Sequence, residues 1–532
     1  MSDLAGQVRE GYAFEGPALE LGALVEEGRG DPSAKVRIPL GMLNRHGLVA
    51  GATGTGKTKT LQVMAEQLSA AGVPVFLADV KGDLSGMSAP GAPNEKIAAR
   101  AAEIGQEWQP TAYPVEFYAL GGRGTGIPVR ATVTSFGPVL LSKVLGLSDV
   151  QASSLNLIFH FADANGLPLL DIKDLRSVIQ YLVSDEGAEQ LRSLGGLSKQ
   201  TAGVLLRELI GFSDAGADDF FGEPEFDTAD LMRTAPDGRG VASILELPGV
   251  LGGPGAGGGT AQPGLFPCFL MWLLADLFQD LPEVGDIDKP KLVFFFDEAH
   301  LLFKDASKDF LESITQTVRL IRSKGVGVFF VTQTPKDVHP DVLAQLGNRV
   351  QHALRAYTPD DAKALKATAS TFPRSAYDLE EVLTQLGTGE AVVTVLAENG
   401  APTPVAWTRL CAPRSLMGAA DAEAMAAAVR GSSLYAKYAE PVDRESAYEK
   451  LAARLAPPST GGYPQGSPAP DAPPAQSYPQ AERAPRREKE EPSMVEKVLG
   501  SSATKSFLRA AATAAGAAVA RQVFGTAKRR KR

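Results

Sequence analysis

The stretch Gly47-Leu48-Val49-Ala50-Gly51-Ala52-Thr53-Gly54-Thr55-Gly56-Lys57-Thr58-Lys59-Thr60 decides the fold. G-x-x-x-x-G-K-T runs from Gly51 to Thr58 inside it. The apolar run 47–50 reads as a short buried strand. Residues 61–68 repeat apolar side chains at helical spacing. Strand, glycine loop and helix in that order are what a phosphate-binding loop requires. Gly51, Gly54 and Gly56 allow backbone conformations that side chains forbid, so that amide N–H groups turn inward. The helix beginning near Lys57 adds its positive dipole end beneath a phosphate. Gly51, Ala52, Thr53, Gly54, Thr55, Gly56, Lys57, Thr58 and Lys59 are therefore the candidate nucleotide-binding set. Lys57 supplies a point charge for the β- and γ-phosphates, and the Thr58 hydroxyl is placed to ligate Mg²⁺.

A second stretch matches the first. Lys291-Leu292-Val293-Phe294-Phe295-Phe296-Asp297 is an apolar strand ending in an aspartate, followed by Glu298. Asp297 is the expected partner of the Mg²⁺ shell. Glu298 is the expected general base that polarises the attacking water. A third strand, Gly327–Thr332, ends in Gln333, a polar tip suited to sensing the γ-phosphate. His300, next to these carboxylates, is expected to serve local structure, because only one nucleotide core is visible. ATP is the expected nucleotide, since no N-K-x-D-like guanine motif occurs.

Working outward, residues 1–46 are too short for a domain of ordinary size and are expected to cap the core, with a strand over 35–40. The second strand of the first βαβ unit covers 73–80 and ends in Asp79-Val80-Lys81-Gly82-Asp83. Polar residues there face a ligand crevice, so they are open to contact with Mg²⁺ or a neighbouring subunit, or to use as a capping turn. Residues 47–135 and 241–412 are expected to form the core. Strand pieces fall at 115–120, 128–133, 241–247, 348–356, 389–397 and 403–410. The helical pattern of 136–240 reads as an inserted subdomain, and 413–455 as C-terminal helices. Residues 266–278 read as a buried helix, and 310–324 as a helix carrying Arg319 and Arg322. The glycine-rich run 252–259 lacks a following Lys-Thr and reads as a flexible loop.

Composition sets the class. The chain has 532 residues, 44% apolar and 22% charged, enough for a sizeable core. Two cysteines make no disulfide framework, which suits a reducing compartment. Residues 456–492, rich in Pro, Gly, Ser and Gln, read as a disordered linker. Residues 493–532 form a basic amphipathic tail with nine Lys/Arg against the single acidic Glu496. That is a charge of +8, so against the net −9 of the whole chain the preceding residues carry −17. Such an acidic body does not advertise nucleic-acid binding, whereas the tail suits an anionic membrane, nucleic acid, a protein partner or plain solvation. Nothing approaches the roughly 18 uncharged apolar residues of a membrane span. The expected location is cytoplasmic, with peripheral attachment at the inner membrane face as an option.

G-A-T-G-T-G-K-T, A-D-V-K-G-D, F-F-F-D-E-A-H and G-V-G-V-F-F-V-T-Q-T-P together resemble the HerA/FtsK superfamily of P-loop ATPases, and within it the HerA-like proteins of the YjgR type. The resemblance implies an α/β fold: a RecA-like P-loop NTPase core with a mainly parallel sheet. It also implies a helicase-like, Mg²⁺-dependent ATPase that assembles as a homo-oligomer, in the family often a hexamer. DNA is the implied partner, and a membrane surface or protein client is the alternative. In HerA an arginine from the helix before the T-Q strand reaches the neighbour's site. Here that position falls on Arg322, with Arg319, Arg349 and Arg355 as other candidates. Where HerA-type proteins often read T-Q-R-P, this chain reads Thr332-Gln333-Thr334-Pro335.

Overall fold

The strand feeding the glycine loop is the centre of a twelve-stranded sheet in a computed structural model of the chain. The structure describes residues 4–193, 195–247, 265–285, 287–303 and 308–455. The run 252–259, the linker and the basic tail lie outside the described residues.

In chain order the strands are β1 (Ala18–Glu26), β2 (Arg29–Pro39), β3 (Gly47–Ala50), β4 (Val75–Asp79), β5 (Val115–Leu120), β6 (Ile127–Val129), β7 (Ala242–Glu246), β8 (Leu292–Phe296), β9 (Val326–Thr332), β10 (Asn348–Gln351), β11 (Glu390–Thr394) and β12 (Ala406–Leu410). Their spatial order is β2-β1-β12-β11-β10-β3-β9-β8-β4-β7-β5-β6. From β10 to β6 every pairing is parallel, and from β2 to β10 every pairing is antiparallel. The parallel strands β3, β4, β7, β8 and β9 are buried at every position. That explains their unbroken apolar sequences, because helices cover both faces of a parallel sheet. Aromatic packing joins neighbouring strands, with Phe76 against Phe294 and Phe296 against Phe330.

The N-terminal segment departs from the expected cap. Its two long strands extend the sheet itself, with Gly22, Ala23 and Leu24 of β1 opposite Leu410, Arg409 and Thr408 of β12. β1 escaped the sequence reading because it is covered on both faces and so does not alternate. Leu19, Leu21 and Leu24 join the main core, while Ala23 packs with Val63, Ile104 and Cys411 on the other side. Gln67 of the helix Lys57–Ala70 clamps the strand by bonding both the N–H and the C=O of Glu20, each at 2.7 Å.

Between β6 and β7 run five helices, Val133–Val144, Asp149–Ala164, Ile172–Val183, Ala188–Ser193 and Lys199–Asp214. Local sequence sets their starts: Thr132, Asp171 and Ser198 each accept a backbone N–H as N-caps. The cap at Thr132 is why the strand expected over 128–133 stops at Val129. These helices share the main core. Phe220 meets Phe269 and Trp272 of the buried helix Leu265–Asp280 edge to face. The C-terminal helices Ala422–Gly431, Tyr435–Tyr438 and Ala447–Leu455 close over this region. Tyr438 donates to Asp230 and accepts from the Asp227 N–H, and the Ala447 N–H bonds Pro168 O. The strand expected over 348–356 ends at Gln351, after which the chain crosses the glycine loop. Among the described residues no helix is long and apolar enough to cross a membrane.

A Cβ on Gly22 would lie 2.0 Å from the backbone oxygen of Arg409. Gly22→Val is therefore expected to pry β1 from β12 and cost about 1–3 kcal/mol, read as a lower denaturant midpoint. An unchanged midpoint would contradict this pairing.

Candidate functional site

Because β3, β4, β7, β8 and β9 run parallel, their carboxyl ends share one edge of the sheet. Register places Ala50 beside Thr332 and Gln351, Phe296 beside Ala78, and Asp79 beside Glu246. The residues just beyond these tips form the site, as expected for an open parallel sheet.

The glycine loop is tied to its neighbours. Gly51 N–H donates to Thr332 O at 3.2 Å, Ala52 N–H to Ala353 O at 2.8 Å, and Gly389 N–H to Thr55 O at 2.9 Å. A Cβ on Gly51 would lie 2.4 Å from that of His352, so only glycine lets the chain pass there. His352 is fully buried, and its Nε2 meets the Thr60 hydroxyl at 2.9 Å. Burial drives its pKa down to about 3, so it stays neutral beneath the loop. Gly56 enters the helix Lys57–Ala70 with φ at +112°. Lys57 is 93% buried, and its Nζ donates to Ala52 O at 3.2 Å. Burial lowers its pKa, and the nearby Glu298 and Asp297 partly offset that cost. Thr58 follows on the first turn, half-buried. Lys59 turns aside to Asp83 at 3.6 Å and Gln62 at 3.3 Å.

Asp297 and Glu298 leave β8 opposite this loop. Asp297 is almost wholly buried; its Oδ1 accepts the Glu298 N–H at 2.9 Å, and its Oδ2 has no hydrogen-bond partner. Burial raises its pKa to about 7, with Glu298 adding to the rise and Lys81 opposing it. An orphaned buried carboxylate oxygen beside a threonine-tipped glycine loop fits a hard cation that prefers oxygen ligands, such as Mg²⁺. Glu298 has φ at +48°, a left-handed conformation that is strained for a glutamate. Its Oε1 meets Lys81 Nζ at 2.5 Å, and its Oε2 lies 3.2 Å from His300 Nδ1. Burial opposes ionisation of Glu298, but the Lys81 contact outweighs it and holds the carboxylate below its usual range.

The A-D-V-K-G-D turn is braced by Asp79, whose carboxylate accepts the N–H groups of Lys81, Gly82 and Leu84. Lys81 is thereby aimed across to Glu298, a pairing that spacing along the chain does not reveal. Glu246 was also missed. It sits inside an otherwise apolar strand, its Oε1 is buried without a partner, and burial beside Asp79 and Asp83 raises its pKa to about 8. The charged tip of Val241–Leu247 was the available signal.

Gln333 is exposed just past β9, over a cavity of about 400 Å³ lined by His300, Phe303, Gln333 and Asp337. The turn around it is locked by Asp337, which accepts from the Thr332 hydroxyl at 2.9 Å, the Thr334 N–H at 2.9 Å and the Thr334 hydroxyl at 3.0 Å. Arg322 stands at the other end of β9, in the turn Arg322–Lys324, roughly 20 Å from the site at 3.3 Å per residue. It does not reach the glycine loop of its own chain. Arg349 starts β10 at that same far end, exposed Arg319 lies on the helix Lys308–Ile321, and exposed Arg355 follows β10 on the loop side.

The model of the helicase HerA-like C-terminal family matches residues 25–532. The chain belongs to that family. It is 32% identical over 124 residues to the probable helicase MJECL08 of Methanocaldococcus jannaschii, covering 23% of this chain and 22% of that protein. It is 34% identical over 98 residues to the DNA double-strand break repair helicase HerA of Sulfurisphaera tokodaii, covering 18% and 19%. The chain thus spans about a fifth of the length of the curated relatives it matches. Among solved structures it is similar to the plasmid coupling protein TrwB in complex with ADPNP, at TM-score 0.49 and 16% identity over 78% of this chain and 94% of that one. It is also similar to VirB4 of Thermoanaerobacter pseudethanolicus, at TM-score 0.46 and 13% identity over 74% and 97%.

Glu246 supplies a pH test of this charged edge. Its folded pKa lies above its ordinary value, so the folded chain holds a proton that the unfolded chain releases. Stability is therefore lost as pH rises from about 4.5 through about 8. Glu246→Gln removes this loss. The melting temperature of the variant minus that of wild type is expected to grow between pH 5 and pH 8.5, and a constant difference would show that Glu246 titrates normally.

Proposed function

We propose that this HerA-family chain hydrolyses ATP and uses the cycle as a helicase- or translocase-like motor on nucleic acid, working as a homo-oligomer. The observation that carries the reading is the convergence at one sheet edge of the glycine loop, Asp297, Glu298 and Gln333. The similar protein of Sulfurisphaera tokodaii is a DNA double-strand break repair helicase, which points toward DNA.

Lys57 and the amides from Gly51 to Lys59 hold the phosphates. Thr58 and Asp297 would hold Mg²⁺, which when bound supplies positive charge against the phosphate oxygens. Glu298 orients a water and takes its proton as the water oxygen bonds to the γ-phosphorus. The bond from that phosphorus to the β–γ bridging oxygen breaks, leaving ADP and inorganic phosphate. Gln333, held at the strand tip by the Asp337-locked turn, contacts the water or the terminal phosphate. Phosphoryl transfer gains greatly from an arginine supplied in trans. Arg322, at the far end of β9, is suited to a neighbour's site and not to its own.

The second reading is an ATPase that moves a protein or membrane-associated client. The acidic net charge and the basic residues of 493–532 favour it. Steady-state hydrolysis with and without single- and double-stranded DNA separates the two. On the motor reading DNA raises turnover several-fold, and Glu298→Gln cuts it by about 10²–10⁴. A DNA-independent rate abolished by Glu298→Gln would favour the client reading. Equal rates for wild type and variant would refute the base assignment. Arg322→Ala should lower turnover at least about 10³-fold without weakening nucleotide binding, and mixing it with Lys57→Ala chains should restore activity if the arginine acts between subunits.

A further inference from the structure

One oxygen of Glu298, Oε1, is engaged by the Lys81 ammonium at 2.5 Å, while Oε2 is buried 3.2 Å from His300 Nδ1 and makes no hydrogen bond. The ammonium fixes the orientation of the carboxylate and occupies the oxygen it holds, which is then not available to a water. The lysine that occupies it stands on the turn after β4, next to β8 in the sheet, and its side chain is 46% exposed. It therefore has room to move. Glu298, by contrast, is fixed by burial and by its strained backbone.

A second cation points the same way. Lys57 is buried close enough to Lys81 for each to feel the other's charge, and its own hydrogen bond is to the carbonyl of Ala52. Two ammonium groups this near each other suit an anion larger than a single carboxylate. The terminal phosphate of ATP carries more charge and more acceptor oxygens than Glu298.

We propose that Lys81 restrains Glu298 while the site lacks ATP and transfers to the γ-phosphate when ATP binds, so that arrival of the substrate releases the base. ADP, lacking that phosphate, leaves the Lys81–Glu298 pair closed. The proposal rests on the ATPase reading above and assigns Lys81 a part in it. Asp79 is the positioning residue behind it, since its carboxylate holds the N–H groups of Lys81, Gly82 and Leu84 and so sets the reach of the lysine.

The test is a cycle of binding measurements with AMP-PNP and ADP, each with magnesium, on the full chain. Lys81→Ala is expected to lose about tenfold in AMP-PNP affinity, in line with one charge-assisted hydrogen bond, and to leave ADP affinity within about twofold. Lys81→Arg is expected to recover most of the loss, which a variant damaged in folding would not show. Glu298→Gln frees the lysine and is expected to bind AMP-PNP several-fold more tightly than wild type. That gain should vanish when Lys81→Ala is added. Equal losses of AMP-PNP and ADP in Lys81→Ala, or a Glu298→Gln gain that persists without the lysine, would overturn the transfer. Wild-type turnover in Glu298→Gln would instead overturn the base assignment, and the binding cycle would still report whether Lys81 meets the γ-phosphate.

Discussion

The structure depends on burying charge at the carboxyl ends of parallel strands. Asp79, Glu246 and Asp297 emerge from neighbouring strands into a region that the sheet and its helices keep from water. Carboxylates so placed repel one another and lose hydration. The carboxylates at this edge, with Glu298 beside Asp297, are met in different ways, and Glu246 keeps its Oε1 without a partner. Asp79 takes three backbone N–H groups, Glu298 takes an ammonium, and Asp297 keeps an oxygen without a partner. The glycine loop across the gap offers amides and a buried lysine. Two halves of opposite charge, each costly alone, thus face each other at one edge of the sheet.

The same parallel order separates the ends of the molecule by function. The glycine loop, Asp297, Glu298 and Gln333 lie past the carboxyl tips. The amino-terminal ends carry the turn in which Arg322 stands, a strand's length away, and the start of β10 with Arg349. The glycine loop and these arginines thus stand at opposite edges of the sheet. The antiparallel extension through β12, β1 and β2 widens the sheet beyond the loop, and the clamp from Gln67 to Glu20 ties that extension to the phosphate-binding helix.

Much of this was legible from the chain alone. G-A-T-G-T-G-K-T and F-F-F-D-E carry their chemistry within a few consecutive residues, because a tight turn and the strand before it are local objects. Unbroken apolar runs marked β3, β4, β8 and β9, since burial on both faces removes alternation. Other features left no local trace. β1 was hard to place because its partner β12 lies almost 400 residues away, whereas the strand expected over 35–40 falls largely on β2. Glu246 reads as one polar residue in an apolar strand until Asp79 is set beside it.

The sequence by itself determined the nucleotide loop, the strand that bears Asp297 and Glu298, and the α/β class, because spacing within a turn or a helix is enough to state them. The tertiary structure alone decided which charges face which. Lys81 and Glu298 are separated by 217 residues, and they meet only because β4 and β8 are adjacent in the sheet. It decided as well that Lys59 turns to Asp83 and that Arg322 stands away from its own site. Contacts of that kind depend on strand order, and strand order is set by how all the elements bury their apolar faces together.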